Sequence, residues 1–191
     1  LLMERRLPRQ AANMMVGFAL MFIGLNLLKV QMESVGAKEL FTAIFPEGGG
    51  LGSNAMFMLI GATLTALIQS SSAATALTLA AMVSGLIGLE SALAMVLGEN
   101  IGTTLTANLA AVVGNRTAKR VARIHFLINV FGVMWMIWLI PLMADALTSL
   151  FAAAETEDVR NGYVLAMFHT TFNVLNALLM GLFVETLVKL S

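Results

Sequence analysis

The sequence predicts an all-α, polytopic membrane protein, and three observations carry that prediction. Of its 191 residues, 59% are hydrophobic and 12% are charged, whereas soluble domains average about 45–50% apolar and about 25% charged residues. The mean hydropathy of +0.87 leaves too little polar surface to cover a globule in water. The apolar residues also fall in long uncharged stretches, as membrane-spanning helices require. We therefore expect one transmembrane domain over residues 1–191.

Charged residues divide the chain into its expected membrane elements. Long apolar stretches, uncharged except for Lys29 near the end of the first, predict three full spans, at residues 10–31, 124–144 and 161–184. The middle of the chain differs, because residues 48–89 carry no formal charge and are too many for one simple helix. Glu99 then interrupts the stretch that follows, so this part needs a more complex path.

The start of the chain has a second interpretation. Its arginines and apolar run also resemble a signal peptide with small residues at 35–37, but the run is long and Lys29 and Glu33 separate it from that point. We expect a retained span. Since the first residue is Leu1 rather than Met, we also expect the chain to be a piece of a longer product or cut at that point.

Basic residues set the expected orientation in the membrane. They cluster before the first span and again before the span at 124–144, and both clusters should face the cytoplasm. The basic residues are Arg5, Arg6, Arg9, Arg116, Lys119, Arg120 and Arg123. The chain between the first span and the second cluster must then cross an odd number of times. We expect a re-entrant helical hairpin at 53–84 followed by one discontinuous span at 90–113.

The predicted hairpin contains a dense polar run without formal charge. Its centre is Gln69, Ser70, Ser71 and Ser72. Four consecutive side chains point around a full helical turn, so they cannot all face one neighbouring helix, and a broken backbone fits better. Hydroxyls and free N–H groups at such a break donate to an anion, while hydroxyl oxygens and free carbonyls accept a cation such as sodium. The alternative is that small polar residues only permit close helix packing.

A second polar segment follows about thirty residues later, in the sequence Gly-Glu-Asn-Ile-Gly-Thr-Thr at residues 98–104. Its two glycines predict a break in the span, and its hard oxygens suit a cation. The oxygens belong to Glu99, Asn100, Thr103 and Thr104. A carboxylate inside a membrane is a candidate functional group, although it can also bind an amide of a neighbouring helix.

A third pattern is a repeated His-x-x-x-Asn spacing, in which both residues share one helix face. It occurs at His125 and Asn129 and again at His169 and Asn173. We expect both faces to point into the protein as a structural polar seam that orients the helices. A histidine proton relay is the alternative.

Composition also excludes several classes of function. The chain has no cysteine, which excludes thiolate metal sites and thiol catalysis, and no residue spacing supports a bound cofactor. Its net charge of zero gives no field for nucleic acid. A serine hydrolase that pairs a serine of residues 70–72 with His125 or His169 lacks both a nucleophile elbow and an activating acid. We therefore do not expect an enzyme.

The two polar motifs and the His-x-x-x-Asn helices together resemble the type II sodium-dependent phosphate cotransporter family. The order of elements is most similar to the second half of a bacterial member, with one of the two inverted repeats that such proteins carry. The resemblance implies a symporter for inorganic phosphate in a bacterial inner (plasma) membrane, with sodium as the coupling ion. It also implies a second repeat half, from the same protein, a partner chain or a homodimer.

The resemblance also implies the site residues. Phosphate contacts are expected from Gln69, Ser70, Ser71, Ser72, Asn100, Thr103 and Thr104. Sodium contacts are expected from Gln69, Ser71, Ser72, Glu99, Asn100 and Thr103. Many members of that family have a small residue at the position of Glu99. The resemblance therefore implies that Glu99 either adds a sodium ligand or alters ion coupling. A channel, or an assembly subunit that does not transport, remains the alternative function.

Overall fold

The computed structural model describes residues 6–32, 36, 39 and 50–190, and all regular structure in these ranges is helical, as predicted. Leu1, Arg5, Glu33 and most of the segment at 35–37 lie outside the described residues. The elements are α1 (Arg6–Met32), α2 (Leu51–Ile68), α3 (Ser71–Val83), α4 (Leu89–Ala111), α5 (Arg116–Met136), a 3-10 turn (Ile137–Leu139), α6 (Ile140–Leu150), α7 (Glu157–Gly181) and α8 (Val184–Leu190).

Three segments of the described chain are long and apolar enough to cross a membrane. They are α2, the α5 to α6 segment Arg116–Leu150, and α7. At about 1.5 Å per residue, the 13 residues of α3 extend only about 20 Å, short of the roughly 30 Å hydrocarbon core. Helix also covers the predicted first span, where α1 contacts α3 and exposes most of its described side chains.

Helix α4 forms the centre of the fold. It packs against α2, α3, α5, α6 and α7, and its residues 92–97 are fully or almost fully buried. Met58 of α2 lies beside Gly98 of α4, and Thr65, later in α2, lies beside Gly102, later in α4. These two helices are therefore parallel. The short turn at 84–88 makes α3 run antiparallel to α4. Helix α3 therefore runs opposite to both α2 and α4.

The predicted discontinuity in the span at 90–113 is wrong, because α4 is one continuous helix through the polar motif. Its glycines serve close packing instead of a break. A Cβ on Gly98 would lie 1.8 Å from the carbonyl oxygen of Met58, and a Cβ on Gly102 would lie 2.5 Å from that of Ala62. Gly61 of α2 is equally constrained, since a Cβ added there would lie 2.1 Å from the carbonyl oxygen of Met95. Small residues thus let α2 and α4 approach closely.

The span predicted at 124–144 begins earlier and continues further in the structure. Helix α5 starts at Arg116, where the Asn115 side chain accepts a hydrogen bond from the N–H of Ala118 (2.9 Å). A 3-10 turn then separates α5 from α6. Pro141, in the first turn of α6, has no N–H to continue the α-helical bonding, which explains the interruption.

Candidate functional site

The chain leaves helical geometry at two residues between α2 and α3, Gln69 and Ser70, which we call the break. Gln69 has φ 59° and ψ 25°, in the left-handed region, and Ser70 is extended. Among the described residues, Gln69 is the sole non-glycine with positive φ. Such a conformation costs about 1–3 kcal/mol and persists where the surroundings impose it. The broken backbone predicted for this polar run is therefore confirmed.

Local hydrogen bonds fix the shape of the break. The N–H of Gln69 donates to Thr65 O (2.7 Å) and ends α2, while the hydroxyl of Ser70 accepts from the N–H of Ala73 (3.3 Å) and begins α3. The N–H groups of Ser71 and Ser72 precede the first bonds of the helix and remain available. The negative end of α2 and the positive end of α3 thus meet at one point.

The four polar residues at the break differ in exposure. Gln69 and Ser72 are exposed, and Ser70 and Ser71 are half-buried. Since α2 and α4 are parallel, the break lies about one helical turn beyond the level of Gly102 on α4. The break therefore lies just beyond the end of the polar segment at residues 98–104, which we call the α4 motif, on the side of Thr103.

The α4 motif presents its polar side chains differently from one residue to the next. Asn100 and Thr103 are half-buried, and each donates to a carbonyl one turn back, to Val96 O (2.8 Å) and Glu99 O (2.9 Å). Their oxygen lone pairs remain available as acceptors. Thr104 is fully buried and donates to Ile101 O, so it offers no surface to a ligand. In the described chain, no hydrogen bond joins residues 69–72 to this motif.

Glu99 lies between α4 and α3, with 2% of its surface exposed. Thr75 Oγ1 donates to its Oε2 (2.5 Å) and Thr78 Oγ1 donates to its Oε1 (2.6 Å). We call Glu99, Thr75 and Thr78 the Glu99 cluster. Neither threonine was singled out from the sequence. Their spacing could have found them, because residues three apart share a helix face and both lie within six residues of the last serine of the run.

A further hydroxyl that sequence reasoning missed belongs to Thr65, one turn before Gln69. Thr65 is 1% exposed, and its Oγ1 has no hydrogen-bond partner among the described residues. Its side chain packs on Gly102. Thr65 thus places an unsatisfied hydroxyl one turn from the break.

The predicted His-Asn seam is only partly buried. Asn129 is 6% exposed and donates to His125 O, but the side chains of His125 and Asn173 are exposed on this chain. Two of the four residues are thus not buried within this chain, and the structural seam stays a prediction. The contact between α5 and α7 lies one turn further along, where Asn176 donates to Ile128 O (3.1 Å) over Gly132.

The histidines are not joined to the break either. His169 is half-buried on α7, and in the described residues no hydrogen bond links it or His125 to a serine of residues 70–72. The arrangement of nucleophile and base that a serine hydrolase requires is therefore absent from the part of the chain that the structure describes.

Comparison with known proteins finds an uncharacterised bacterial relative and mammalian sodium-dependent phosphate transport proteins. The chain is 40% identical to the uncharacterised protein YqeW of Bacillus subtilis over 127 residues, 66% of this chain and 39% of that protein. It is 42% identical to sodium-dependent phosphate transport protein 2C of Rattus norvegicus over 111 residues, 56% of this chain and 18% of that protein. The chain thus spans well under half the length of either relative. No solved structure matches it.

A sequence model of the Na+/Pi-cotransporter family matches residues 50–153, more than half of the chain. That range extends from the start of α2 to just beyond the end of α6, and it contains both the break and the Glu99 cluster. Both polar motifs that carry the sequence resemblance lie in this range, as do His125 and Asn129, whereas His169 and Asn173 lie beyond it. The chain belongs to the Na+/Pi-cotransporter family.

Proposed function

We propose that this chain is a sodium-coupled symporter for inorganic phosphate, or half of one, with its site at the break. The observation that carries the proposal is the meeting of two helix ends at Gln69 and Ser70, within a family of phosphate transporters. A helix N-terminus favours an anion and a helix C-terminus favours a cation. One break therefore offers suitable groups for both ions without a charged side chain.

Phosphate would bind at the N-terminus of α3. Its oxygens would accept hydrogen bonds from the N–H groups and hydroxyls of Ser71 and Ser72, with the Gln69 amide as a further donor. Ser70 contributes through its cap of α3, which fixes the orientation of those N–H groups.

Sodium would bind on the α2 side of the break. Free carbonyls at the end of α2, hydroxyl oxygens of the serines, and Asn100 and Thr103 on neighbouring α4 would supply hard oxygens. The unpartnered Thr65 hydroxyl is a further candidate ligand. Buried Thr104 would support the motif through packing.

Uptake of labelled phosphate into proteoliposomes tests this function. We expect uptake that saturates with phosphate and requires an inward sodium gradient. Ser71→Ala should abolish it, because a hydroxyl that would contact phosphate is lost while the Ser70 cap of α3 remains. Ser149→Ala, on an exposed position of α6, is the matched control and should leave uptake unchanged. Uptake that ignores sodium, or an unaffected Ser71→Ala variant, would contradict the proposal.

The membrane path is part of the same proposal. Parallel α2 and α4 would enter the membrane from one face, and the short α3 would return the chain to that face, as in a re-entrant hairpin. A second repeat half, from the same protein, a partner chain or a homodimer, would complete the site in a bacterial inner membrane. The expectation of a second repeat half is supported by the resemblance of the two polar motifs to the family.

Single cysteines test the path, since the chain has none of its own. A membrane-impermeant maleimide added outside the cell should label Gly52→Cys and Gly88→Cys, at the two ends of the hairpin. Lys119→Cys, in the basic cluster, should react only after the membrane is opened. Labelling of Gly52→Cys and Gly88→Cys from opposite faces would exclude the re-entrant path.

A further inference from the structure

The carboxyl of Glu99 is held by another helix and is closed to solvent. Both of its oxygens contact hydroxyls of α3, at 2.5 Å from Thr75 and 2.6 Å from Thr78, and only 2% of the residue is exposed. Both oxygens of the carboxyl are thus engaged by α3, and a further ligand would have to enter a site that is closed to solvent. Its partners therefore indicate a different role from the sodium ligand that the sequence predicts.

The same contacts reach the start of α3 through one hydroxyl. Thr75 Oγ1 lies 2.5 Å from Glu99 Oε2 and also 2.9 Å from Ser71 O, one turn back. Since a hydroxyl has a single proton, it can donate fully to only one of these acceptors. The bonding of Glu99 is therefore linked to the first residue of α3, immediately after the break.

The direction of the helices extends this link to α4. Helices α3 and α4 are antiparallel, so the turn from Thr75 to Ser71 and the turn from Glu99 to Thr103 point the same way. Thr103 in turn donates to Glu99 O. The Glu99 cluster thus lies one turn below both sides of the proposed ion site.

We propose that Glu99 is a positioning residue: through Thr75 and Thr78 it holds the first two turns of α3 against α4 and so fixes the hydroxyls of the break relative to Asn100 and Thr103. The proposal rests on the transport function proposed above. Outer groups that orient ligands affect binding or activity by about 10- to 100-fold when they are removed, and effects of that size are expected here.

Isosteric threonine variants test the cluster. Thr75→Val and Thr78→Val remove one donor each at constant shape, and we expect each to raise the KM for phosphate and the sodium concentration for half-maximal uptake about tenfold or more. Thr75→Ser and Thr78→Ser keep the hydroxyl and should restore most of the affinity. Thr63→Val is the matched control, because Thr63 donates only to Leu59 O on the exposed side of α2. Unchanged affinities in both valine variants would overturn the proposal.

Glu99→Gln separates positioning from ion binding. The amide has the same shape, and it can accept from Thr78 and donate to Thr75, which then donates to Ser71 O. We expect sodium activation within a few-fold of the parent for Glu99→Gln and at least a tenfold loss for Glu99→Leu. Loss of sodium activation in Glu99→Gln, with normal affinities in the threonine variants, would show that Glu99 is a sodium ligand and would overturn the proposal.

A readout that does not depend on transport separates failure of this proposal from failure of the function. Ala73→Cys places a thiol on the exposed side of the first turn of α3. Its maleimide labelling should accelerate several-fold when Thr75→Val and Thr78→Val are added and should not change with Thr63→Val. Without phosphate uptake by the parent protein the transport function fails, whereas unchanged labelling contradicts the positioning role even where uptake is normal.

Discussion

Two faces of α4, encoded by neighbouring residues of one motif, make opposite kinds of contact. Gly98 and Gly102 lie against the backbone of α2, where even one added carbon would collide with a carbonyl. Glu99 and Thr103 lie on a face rotated by about 100°, where the Glu99 carboxyl meets the hydroxyls of α3. The motif thus uses its glycines to pack on α2 and its carboxyl to bond α3, without breaking the helix.

Gly98→Ala should have the largest effect on stability. The added Cβ would lie 1.8 Å from Met58 O, a backbone atom that cannot move without displacing α2. We expect a loss of more than about 3 kcal/mol in the free energy of unfolding, measured from thermal unfolding in detergent. Gly181→Ala, where no atom lies within 4 Å, is the control and should be neutral or stabilising. Equal stability of the two variants would show that the glycine face of α4 is not needed for packing.

Gly132→Ala tests a glycine that faces a side chain rather than a backbone. The new Cβ would lie 2.4 Å from Asn176 Nδ2, and the side chain can move only by losing its hydrogen bond to Ile128 O. We expect a loss of about 1–3 kcal/mol in the same unfolding measurement. The double variant Gly132→Ala with Asn176→Ala should lose less than the sum of the single changes, since the collision is gone. Additive losses would contradict this contact.

Thr103→Val examines the other face of α4. Valine keeps the volume and removes a hydroxyl that donates within its own helix to Glu99 O, so stability should change by less than about 1 kcal/mol. Sodium-dependent phosphate uptake should nevertheless fall at least about tenfold, because the site loses an oxygen ligand. Normal uptake by this variant would remove Thr103 from the proposed site.

Gln69→Gly should stabilise the protein slightly while it impairs function. Glycine adopts the left-handed conformation without steric cost, so the free energy of unfolding should rise by up to about 1 kcal/mol. Uptake should fall because the amide is lost. Gln69→Asn, which keeps an amide and tolerates this conformation, should retain more uptake than the glycine variant. A glycine variant that transports normally would show that Gln69 serves only the turn.

Sequence reasoning predicted the backbone best where its conformation depends on adjacent residues. Four polar residues in a row within an apolar stretch predict a broken backbone, and the break occurs at Gln69 and Ser70. The family could also be identified, because its two motifs and their spacing are linear features that residues 50–153 retain.

Contacts between helices were not predictable in the same way. A glycine permits either a break in a helix or a close approach of two helices. The proximity of Met58 to Gly98 shows that here it permits the close approach of α2 and α4. The partners of Glu99 lie 21 and 24 residues earlier in the chain, so its role depends on how α3 folds back on α4. Likewise, the spacing of His125 and Asn129 defines one helix face without indicating which face is buried.

Three properties of this chain follow from its sequence alone: it is helical, it is apolar enough for lipid, and its backbone breaks within the serine run. They depend on composition, on the length of uncharged stretches and on local hydrogen bonding. The continuity of α4 and the meeting of Glu99 with Thr75 and Thr78 became evident only in three dimensions. Such choices depend on which helix surfaces come into contact, because one residue turns a side chain by about 100° and thereby exchanges one neighbour for another.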